Sequence, residues 1–512
     1  MREYLSSNDI SFIAESELYR VYAGGAPLFV HEARVSARPV NQVWRGYQRP
    51  VQQTEPAAFV SFDMNKPVEL RVVCNFEVFN AFLRPDGAGI AARRKDDEVY
   101  VTLDKPGNYT LDVNGAHNAL HIFANPPAAR PPEGALYFGP GIHKPGVIQA
   151  QSGQTIYLDE GAIVYGAVIV RECENVRVTG RGILDGSRFH REKQNNVLLL
   201  EGSRGVTVDG IVLRDAPTYA LSATACENLT INNVKVIGQW RYNADGLDLH
   251  NTRHARITDC FVRTFDDCIV LKSRAEYQGY SAGAMCMEDV RVERCVLWND
   301  WGRALEIGAE TVGAYMRDIA FRDCDVMHFL FIACDVQACG DAEIYGVTFE
   351  DIRVGEPLDP ACEPRLIEIF IRPMCWLSVE KLGSVRDIVF RDIKYTGRTS
   401  VPCRFIGYDK DSDIAGVSLE RVVVNGKALT AAGLDMSHII VNGYVSGLTV
   451  DGIAVPAGRA AEGAAAAGSM LGDAAAAGIT ANDAPDSCVH FESEEETNNA
   501  YLIGNGAFIK FT

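Results

Sequence analysis

The sequence predicts an all-β protein in which a right-handed parallel β-helix follows an N-terminal β-sandwich. A short phrase of alternating polar and apolar residues recurs ten times between Glu174 and about residue 456. No helical periodicity separates these phrases, so each repeat is made of strands. The first 125 residues carry strand-like runs with a different spacing, which indicates a separate β unit.

The N-terminal unit contains short β-type runs bounded by Gly, Pro, Asn and Asp turn residues. Examples are AAFVSFDM, VELRVVCNFEVFNAFL and EVYVTLD, a pattern typical of an antiparallel sandwich. The unit ends at ANPPAARPPEG, where four prolines predict a linker. We therefore expect a sandwich domain over residues 1–130 and a β-helix domain over residues 131–512.

The repeats have the length that one coil of a solenoid requires. Successive phrases lie 23 to 41 residues apart, counted from their first apolar residues. These residues are Val176, Val206, Leu229, Ala255, Val290, Ile319, Val347, Ile388, Val417 and Leu448. Leucine-rich repeats would show a fixed Leu/Asn frame, and propeller blades would need four strands per unit. A parallel β-helix fits better than either.

One column of the repeat predicts a stack of small or hydrogen-bonding residues about 4.8 Å apart. It comprises Gly210, Asn233, Cys260, Cys295, Cys324, Asp351 and Asp392. The three cysteines are expected to be stacked packing residues and not metal ligands. After Pro456, the Ala/Gly-rich segment 456–485 is expected to form a short helical cover or a mobile loop of the β-helix domain.

Composition excludes several classes of partner. The chain has 512 residues, 49 Lys and Arg against 67 Asp and Glu, and a net charge of −18. An acidic surface repels nucleic acid and anionic membranes. The first residues show no signal peptide, which favours a cytoplasmic protein with reduced cysteines, or a secreted one if a signal has been removed. We expect no metal and no cofactor, and we leave homo-oligomerisation open.

Three segments stand at equivalent places in successive coils: 243–249, 265–272 and 301–308. Asp245 and Asp267 are 22 residues apart, about one coil, so stacking should bring them onto one face, with Asp266 adding a third acid. Neighbouring acids raise at least one pKa, so a protonated and an ionised carboxyl coexist near neutral pH. Inverting glycoside hydrolysis needs that pair: one acid protonates the leaving oxygen and another carboxylate activates water.

The NADG, DDCI and GRALEIG segments resemble the signature of the polygalacturonases, glycoside hydrolase family 28, which are inverting parallel β-helix enzymes. The separate N-terminal sandwich and the YFGPGIH segment also resemble the dextranase and isopullulanase group, family 49. The resemblance implies that Asp266 is the general acid, that Asp245 and Asp267 hold the water, and that Asn243 orients Asp245. Polygalacturonases have Gly-His-Gly where this chain has Gly302-Arg303-Ala304, and their Arg-Ile-Lys triplet is missing.

The expected partner is therefore a carbohydrate, either an acidic or a neutral glycan. Candidate substrate-binding residues are cations, an acid and aromatic side chains around the three acids: Asn243, Lys272, Arg303, Arg365, Arg372, Glu306, Trp240, Tyr242 and Trp301. Lys272 and Glu306 have the alternative interpretation of a surface salt bridge. The loop 273–287 lengthens one coil beside the acids, which favours a cleft walled at one end and exo-action. A polysaccharide lyase, a glycosyl transfer enzyme and a non-catalytic carbohydrate-binding protein are the rival functions.

Overall fold

The computed structural model describes residues 15–37, 51–191, 195–277, 279–281, 283–374, 376–434 and 436–456, and two short strands, β45 (Ala500–Ile503) and β46 (Ala507–Lys510). Strands dominate these ranges, and no α-helix occurs within them. The helical elements described are 3-10 turns, Val51–Gln53, Asp86–Ala88, Ala116–Asn118 and Pro360–Cys362. The predicted all-β class is confirmed.

The N-terminal unit is a sandwich of two five-stranded sheets. One sheet has the order β2-β1-β5-β8-β7 and the other the order β3-β4-β10-β9-β6. The strands are β1 (Tyr19–Ala23), β2 (Ala26–Leu28), β3 (His31–Ser36), β4 (Thr54–Asp63), β5 (Val68–Cys74), β6 (Ala81–Arg84), β7 (Arg93–Lys95), β8 (Glu98–Leu103), β9 (Gly107–Val113) and β10 (Leu120–Asn125). Their alternate apolar residues share one buried core, which contains Val72 from the first sheet and Val60 from the second.

The rest of the described chain winds into a parallel β-helix whose coils pair in register, strand upon strand. Three strand columns form its faces, and long strands such as β32 and β34 bend from the first face into the second. Face 1 contains β11 (Leu136–Phe138), β13 (Thr155–Leu158), β15 (Arg177–Gly180), β18 (Thr207–Asp209), β21 (Glu227–Asn232), β24 (Arg253–Thr258), β29 (Cys286–Glu293), β32 (Tyr315–His328), β34 (Glu343–Val354), β36 (Val385–Tyr395), β38 (Ile414–Glu420), β42 (Val445–Ser446) and β43 (Thr449–Val450).

Face 2 contains β16 (Ile183–Asp185), β19 (Val212–Arg214), β22 (Lys235–Ile237), β25 (Phe261–Thr264), β30 (Val296–Asn299) and β39 (Val423–Val424). Face 3 contains β12 (Gly141–Gln149), β14 (Ala162–Arg171), β17 (Leu198–Glu201), β20 (Leu221–Thr224), β23 (Leu247–His250), β26 (Ile269–Ser273), β31 (Arg303–Thr311), β33 (Ile332–Ala338), β35 (Arg365–Ile371), β37 (Cys403–Ile406) and β41 (Ile439–Val441). Short accessory strands are β27 (Glu276–Tyr277), β28 (Tyr280–Ser281), β40 (Lys427–Ala428) and β44 (Ile453–Ala454).

The predicted register of the repeat is confirmed residue by residue on face 1. Ala255 lies opposite Val290, Val290 opposite Ile319, and Ile319 opposite Val347. These residues point into one continuous apolar core that runs through the coils. The alternation of apolar and polar residues in each phrase therefore sets which side chains face inward.

The predicted column of small residues is partly wrong. Cys260, Cys295 and Cys324 do lie on successive coils in the buried core, as the pairings of the adjacent residues show. On the next coils, however, Cys324 lies opposite Ile352. Gly210, Asn233, Asp351 and Asp392 belong to the preceding position, a turn residue with positive φ in each coil. Because this turn residue adopts a left-handed conformation, it interrupts the inward–outward alternation of the strand. A column counted with a strict period of two is therefore displaced by one residue.

The sandwich packs directly against face 2 of the β-helix. A shared buried cluster joins Phe123 of the sandwich to Phe261 and Trp298 of the coils. The Arg263 guanidinium lies 3.0 Å from His121 Nε2, and Asn125 Oδ1 accepts a hydrogen bond from the buried Lys235 ammonium. The predicted boundary at residue 130 falls between β10 and β11, after this interface.

No helix in the described part of the chain is long and apolar enough to cross a membrane. Residues 457–485 of the predicted Ala/Gly-rich segment lie outside the described residues.

Candidate active site

The β-helix register brings the three sequence-predicted segments together on face 3. Leu247 pairs with Ile269, and Ile269 pairs with Leu305. Counting back two residues along each chain segment places Asp245, Asp267 and Arg303 at equivalent positions on three successive coils. By the same count, Asp266 lies between Ala244 and Gly302. Two small neighbours therefore leave room in front of the central acid.

Asp266 and Asp267 face the same small volume beside Gly302. A Cβ atom placed on Gly302 would lie 2.4 Å from Asp267 Oδ1 and 2.6 Å from Asp266 Oδ1. Both distances are far below van der Waals contact, so no larger residue fits at this position without moving an acid. Glycine is thus required here by close approach of the two carboxylates.

Lys272 is a buried cation shared by two carboxylates. Its Nζ lies 3.1 Å from Asp245 Oδ2 and 2.8 Å from Asp248 Oδ2. All three side chains are nearly or fully buried, and the ammonium also stands 4.9 Å from the centre of the Tyr219 ring. The alternative prediction of a surface salt bridge between Lys272 and Glu306 is wrong, because the buried Lys272 ammonium contacts Asp245 and Asp248.

Three of the clustered acids have raised pKa values. Burial, followed by the charge of Asp267, raises the pKa of Asp266 to about 7. Burial and then the charge of Asp248 raise the pKa of Asp245 well above its usual range, and burial raises that of Asp248 to about 6 although Lys272 opposes the rise. The cluster therefore contains a carboxyl that can donate a proton beside others that can accept one.

Asp267 lies beside the backbone N–H and the guanidinium of Arg303. Its Oδ1 accepts a 2.9 Å hydrogen bond from the Arg303 backbone N–H, and the Arg303 guanidinium lies 3.8 Å away. The same guanidinium is 3.4 Å from Asp335 Oδ2 and 4.0 Å from Glu306 Oε1. The Arg303 guanidinium thus contacts two buried acids in addition to Asp267.

An open cavity lies in front of these groups. It is lined by Tyr219, Tyr242, Asn243, Asp245, Asp266, Asp267, Lys272, Trp301, Arg303, Glu306, Ala309, Glu310, Phe331, Gln337, Arg372, Met374 and Trp376. Ten of the twelve sequence-predicted site residues are in this lining. Asp266 is partly exposed in it, whereas Asp245 and Asp267 are more deeply placed.

Trp240 and Arg365 are not brought into the cavity lining. The indole of Trp240 is fully buried and donates a 3.0 Å hydrogen bond to Asp215, so it offers no face to a sugar. Arg365 is nearly buried and lies 3.2 Å from Glu368, two coils beyond Arg303. Proximity to the acids in sequence, or a positive charge, is not enough to place a side chain at the cavity.

Sequence reasoning missed Asp248 and Trp376. Asp248 stands between the inward-facing Leu247 and Leu249, so alternation alone places it on the outer side of the strand. Trp376 lies in the loop after β35 and lines the cavity with 53% of its surface exposed. Nothing in the local pattern around Trp376 signals that position.

The described residues contain no group of three or more His, Cys, Asp or Glu side chains with an arrangement suited to a metal ion. The clustered acids of the cavity instead contact Lys272 and Arg303.

Comparison with known proteins gives a family match over the same coils. Residues 160–360 match the family model of glycosyl hydrolases family 28. A probable polygalacturonase from Vitis vinifera is 24% identical over 155 residues, 29% of this chain and 31% of that protein. A probable polygalacturonase from Arabidopsis thaliana is 22% identical over 111 residues, 21% and 24% of the two chains. This chain therefore covers about a third or less of the length of these relatives, and the range matched by the family model includes the three acids.

Structural similarity covers more of the chain than that sequence match. The solved structure of Dex49A from Penicillium minioluteum superposes with a TM-score of 0.62 at 14% identity, covering 85% of this chain and 94% of the other. At this identity the likeness bears on the fold alone. It confirms the predicted architecture, and the family 28 match confirms the predicted resemblance.

Proposed function

We propose that this protein hydrolyses glycosidic bonds of a poly- or oligosaccharide with inversion at the anomeric carbon. The observation that carries the proposal is the convergence of Asp245, Asp266 and Asp267, from adjacent coils, on one open cavity. Buried structural acids are usually paired one to one with cations. Here the acids outnumber the cations and stand beside space, an arrangement suited to proton transfer.

In this proposal Asp266 is the general acid. Its raised pKa of about 7 keeps it protonated in a neutral or mildly acidic medium, so it can protonate the leaving glycosidic oxygen. Asp267, held by the Arg303 N–H, takes the proton of the attacking water, and Asp245 helps to position that water. Asn243 lines the cavity two residues before Asp245, and the family resemblance assigns it the role of orienting that carboxyl.

A neutral glycan is the favoured substrate. Five acids and three cations line the cavity. Two of the cations, Lys272 and Arg303, already contact carboxylates of the protein. A uronate carboxylate would have to compete with those contacts in a poorly solvated site that is lined by more acids than cations, which costs electrostatic free energy.

A panel of dextran, arabinan and polygalacturonate tests this proposal with the wild type and Asp266→Asn. We expect reducing ends to be released from a neutral glycan, and the rate to fall by about 10³-fold or more in the variant. The matched control is Asp413→Asn, because Asp413 forms a partly exposed ion pair with Arg386. This variant should retain full activity. Products with the ultraviolet absorbance of unsaturated uronides would instead indicate a lyase.

A further inference from the structure

Three aromatic side chains lie exposed on the coils that follow the cavity. Trp376, Tyr408 and Tyr444 are 53%, 49% and 44% exposed. Each follows a face 3 strand, namely β35, β37 and β41. Large exposed aromatic rings are unfavourable in water, and a row of them on successive coils marks a binding surface.

The β-helix register puts the two tyrosines in one column with a cavity residue. Ile369 pairs with Phe405, and Phe405 pairs with Val441. Three residues after each of these stand Arg372, Tyr408 and Tyr444. Arg372 lines the cavity, so the tyrosines continue its wall by one and two coils, at about 4.8 Å per coil.

The two tyrosines are presented by a rigid turn. Asn442 Oδ1 accepts hydrogen bonds from the Gly407 and Tyr444 backbone N–H groups, and its Nδ2 donates to Gly407 O. A Cβ atom on Gly407 would lie 2.4 Å from Tyr444 O, so glycine permits the coils to approach here. Binding to these rings would therefore require little ordering of the protein backbone.

A packed aromatic stack lies at the side of the cavity toward the earlier coils. The β27–β28 hairpin, inserted after the catalytic coil, places Tyr277 on His250 with ring centres 4.6 Å apart and on Tyr219 at 5.7 Å. Tyr219 lines the cavity. A chain held at the three acids thus finds a packed aromatic stack on the side of the earlier coils and exposed rings on the side of the later coils.

We infer that Trp376, Tyr408 and Tyr444 form an aromatic track that binds further pyranose units of the glycan whose bond lies at the acids. Pyranose rings present apolar C–H faces that pack on aromatic rings, while their hydroxyl groups remain in water. This inference rests on the proposed function, since it assigns the direction in which the substrate leaves the cavity.

The experiment compares Tyr408→Ala, Tyr444→Ala and the double variant with the wild type on the polysaccharide cleaved in the panel and on its trisaccharide. We expect the double variant to raise KM for the polymer by about 10-fold or more, corresponding to one to two stacking contacts. The trisaccharide kinetics should not change. Tyr→Phe variants keep the ring and should behave as wild type, and Tyr137→Ala, at a 48% exposed tyrosine of an early coil, is the matched control.

A binding assay separates this inference from the proposed hydrolysis. Native gels containing dextran, arabinan or polygalacturonate measure retardation of the wild type and of the double tyrosine variant. Cleavage of the polymer with unaltered KM in the variant overturns the track and leaves the hydrolase. Retardation that the variant loses, without any cleavage, supports the track and overturns the hydrolase. If the wild type shows neither cleavage nor retardation, both the aromatic track and the hydrolase are overturned.

Discussion

Replacing Lys272 by Met should destabilise the fold strongly, because the change leaves two buried carboxylates without their shared cation. Nζ lies within 3.1 Å of Asp245 and 2.8 Å of Asp248, and the three side chains are at most 5% exposed. Each contact corresponds to about 5 kcal/mol at an effective dielectric constant of about 20. Relief of the ammonium's own desolvation offsets part of that loss, so we expect a net cost of about 3–5 kcal/mol.

The cost should depend on pH. Burial already raises the pKa of Asp248 to about 6 and that of Asp245 further, and removing the cation raises both again. A carboxyl whose pKa is higher in the folded state binds a proton on folding, so its stabilisation is present at low pH and lost as pH rises. The variant should therefore be close to wild type near pH 5 and strongly destabilised near pH 8.

Urea denaturation followed by tryptophan fluorescence at both pH values measures this difference. The matched control is Lys410→Met, at an exposed lysine paired with Asp411, which should leave the denaturation midpoint unchanged. Adding Asp248→Asn to Lys272→Met removes one stranded charge and should restore part of the lost stability. A cost below about 1 kcal/mol at pH 8, or one that is the same at both pH values, would refute the ion-cluster argument.

Three further predictions concern the acids and the space between them. The value of kcat/KM should fall about tenfold per unit above about pH 7 as Asp266 loses its proton, and a pH–rate profile that stays flat to pH 9 would contradict its role as acid. Asp335→Asn should be more stable than wild type by a few kcal/mol near pH 9 but not near pH 4. Burial and the charge of Glu368 raise the pKa of Asp335 to about 8, so the stability that this carboxyl contributes when protonated is lost as pH rises through that value. Urea titrations at the two pH values measure the difference. Gly302→Ala should abolish activity by displacing the acids while keeping a folded circular dichroism spectrum, whereas Gly443→Ala, with no atom within 4 Å of its added Cβ, should be fully active.

The sequence was sufficient to predict the architecture and most of the candidate site because both depend on one repeat. Once Leu229 and Ala255, 26 residues apart, are recognised as equivalent, the approximate length of a coil follows, and Asp245 and Asp267, 22 residues apart, are expected on adjacent coils. A strand register that is fixed by inward-facing apolar residues also fixes its turns. The spacing of the repeat along the chain therefore predicts which residues of different coils lie close together.

The prediction was weaker where tertiary packing decides the outcome. Trp240 was expected beside the sugar, but its indole and Arg241 pack around Asp215 in the interior. Asp248 was overlooked because a single acid within a strand resembles any solvent-facing residue, and only the structure reveals that Lys272 covers it. Trp376 depends on the course of a loop, for which the repeat supplies no register.

The central claim is that acids from neighbouring coils hydrolyse a glycosidic bond by a single displacement. Proton NMR of the first products from the cleaved glycan tests it most directly, since the anomeric signals appear before mutarotation. We expect the anomeric configuration of the released reducing end to be opposite to that of the bond broken. We also expect Asp245→Asn, Asp266→Asn and Asp267→Asn each to release no product on that time scale. Products of unchanged configuration, or undiminished release by these variants, would contradict it.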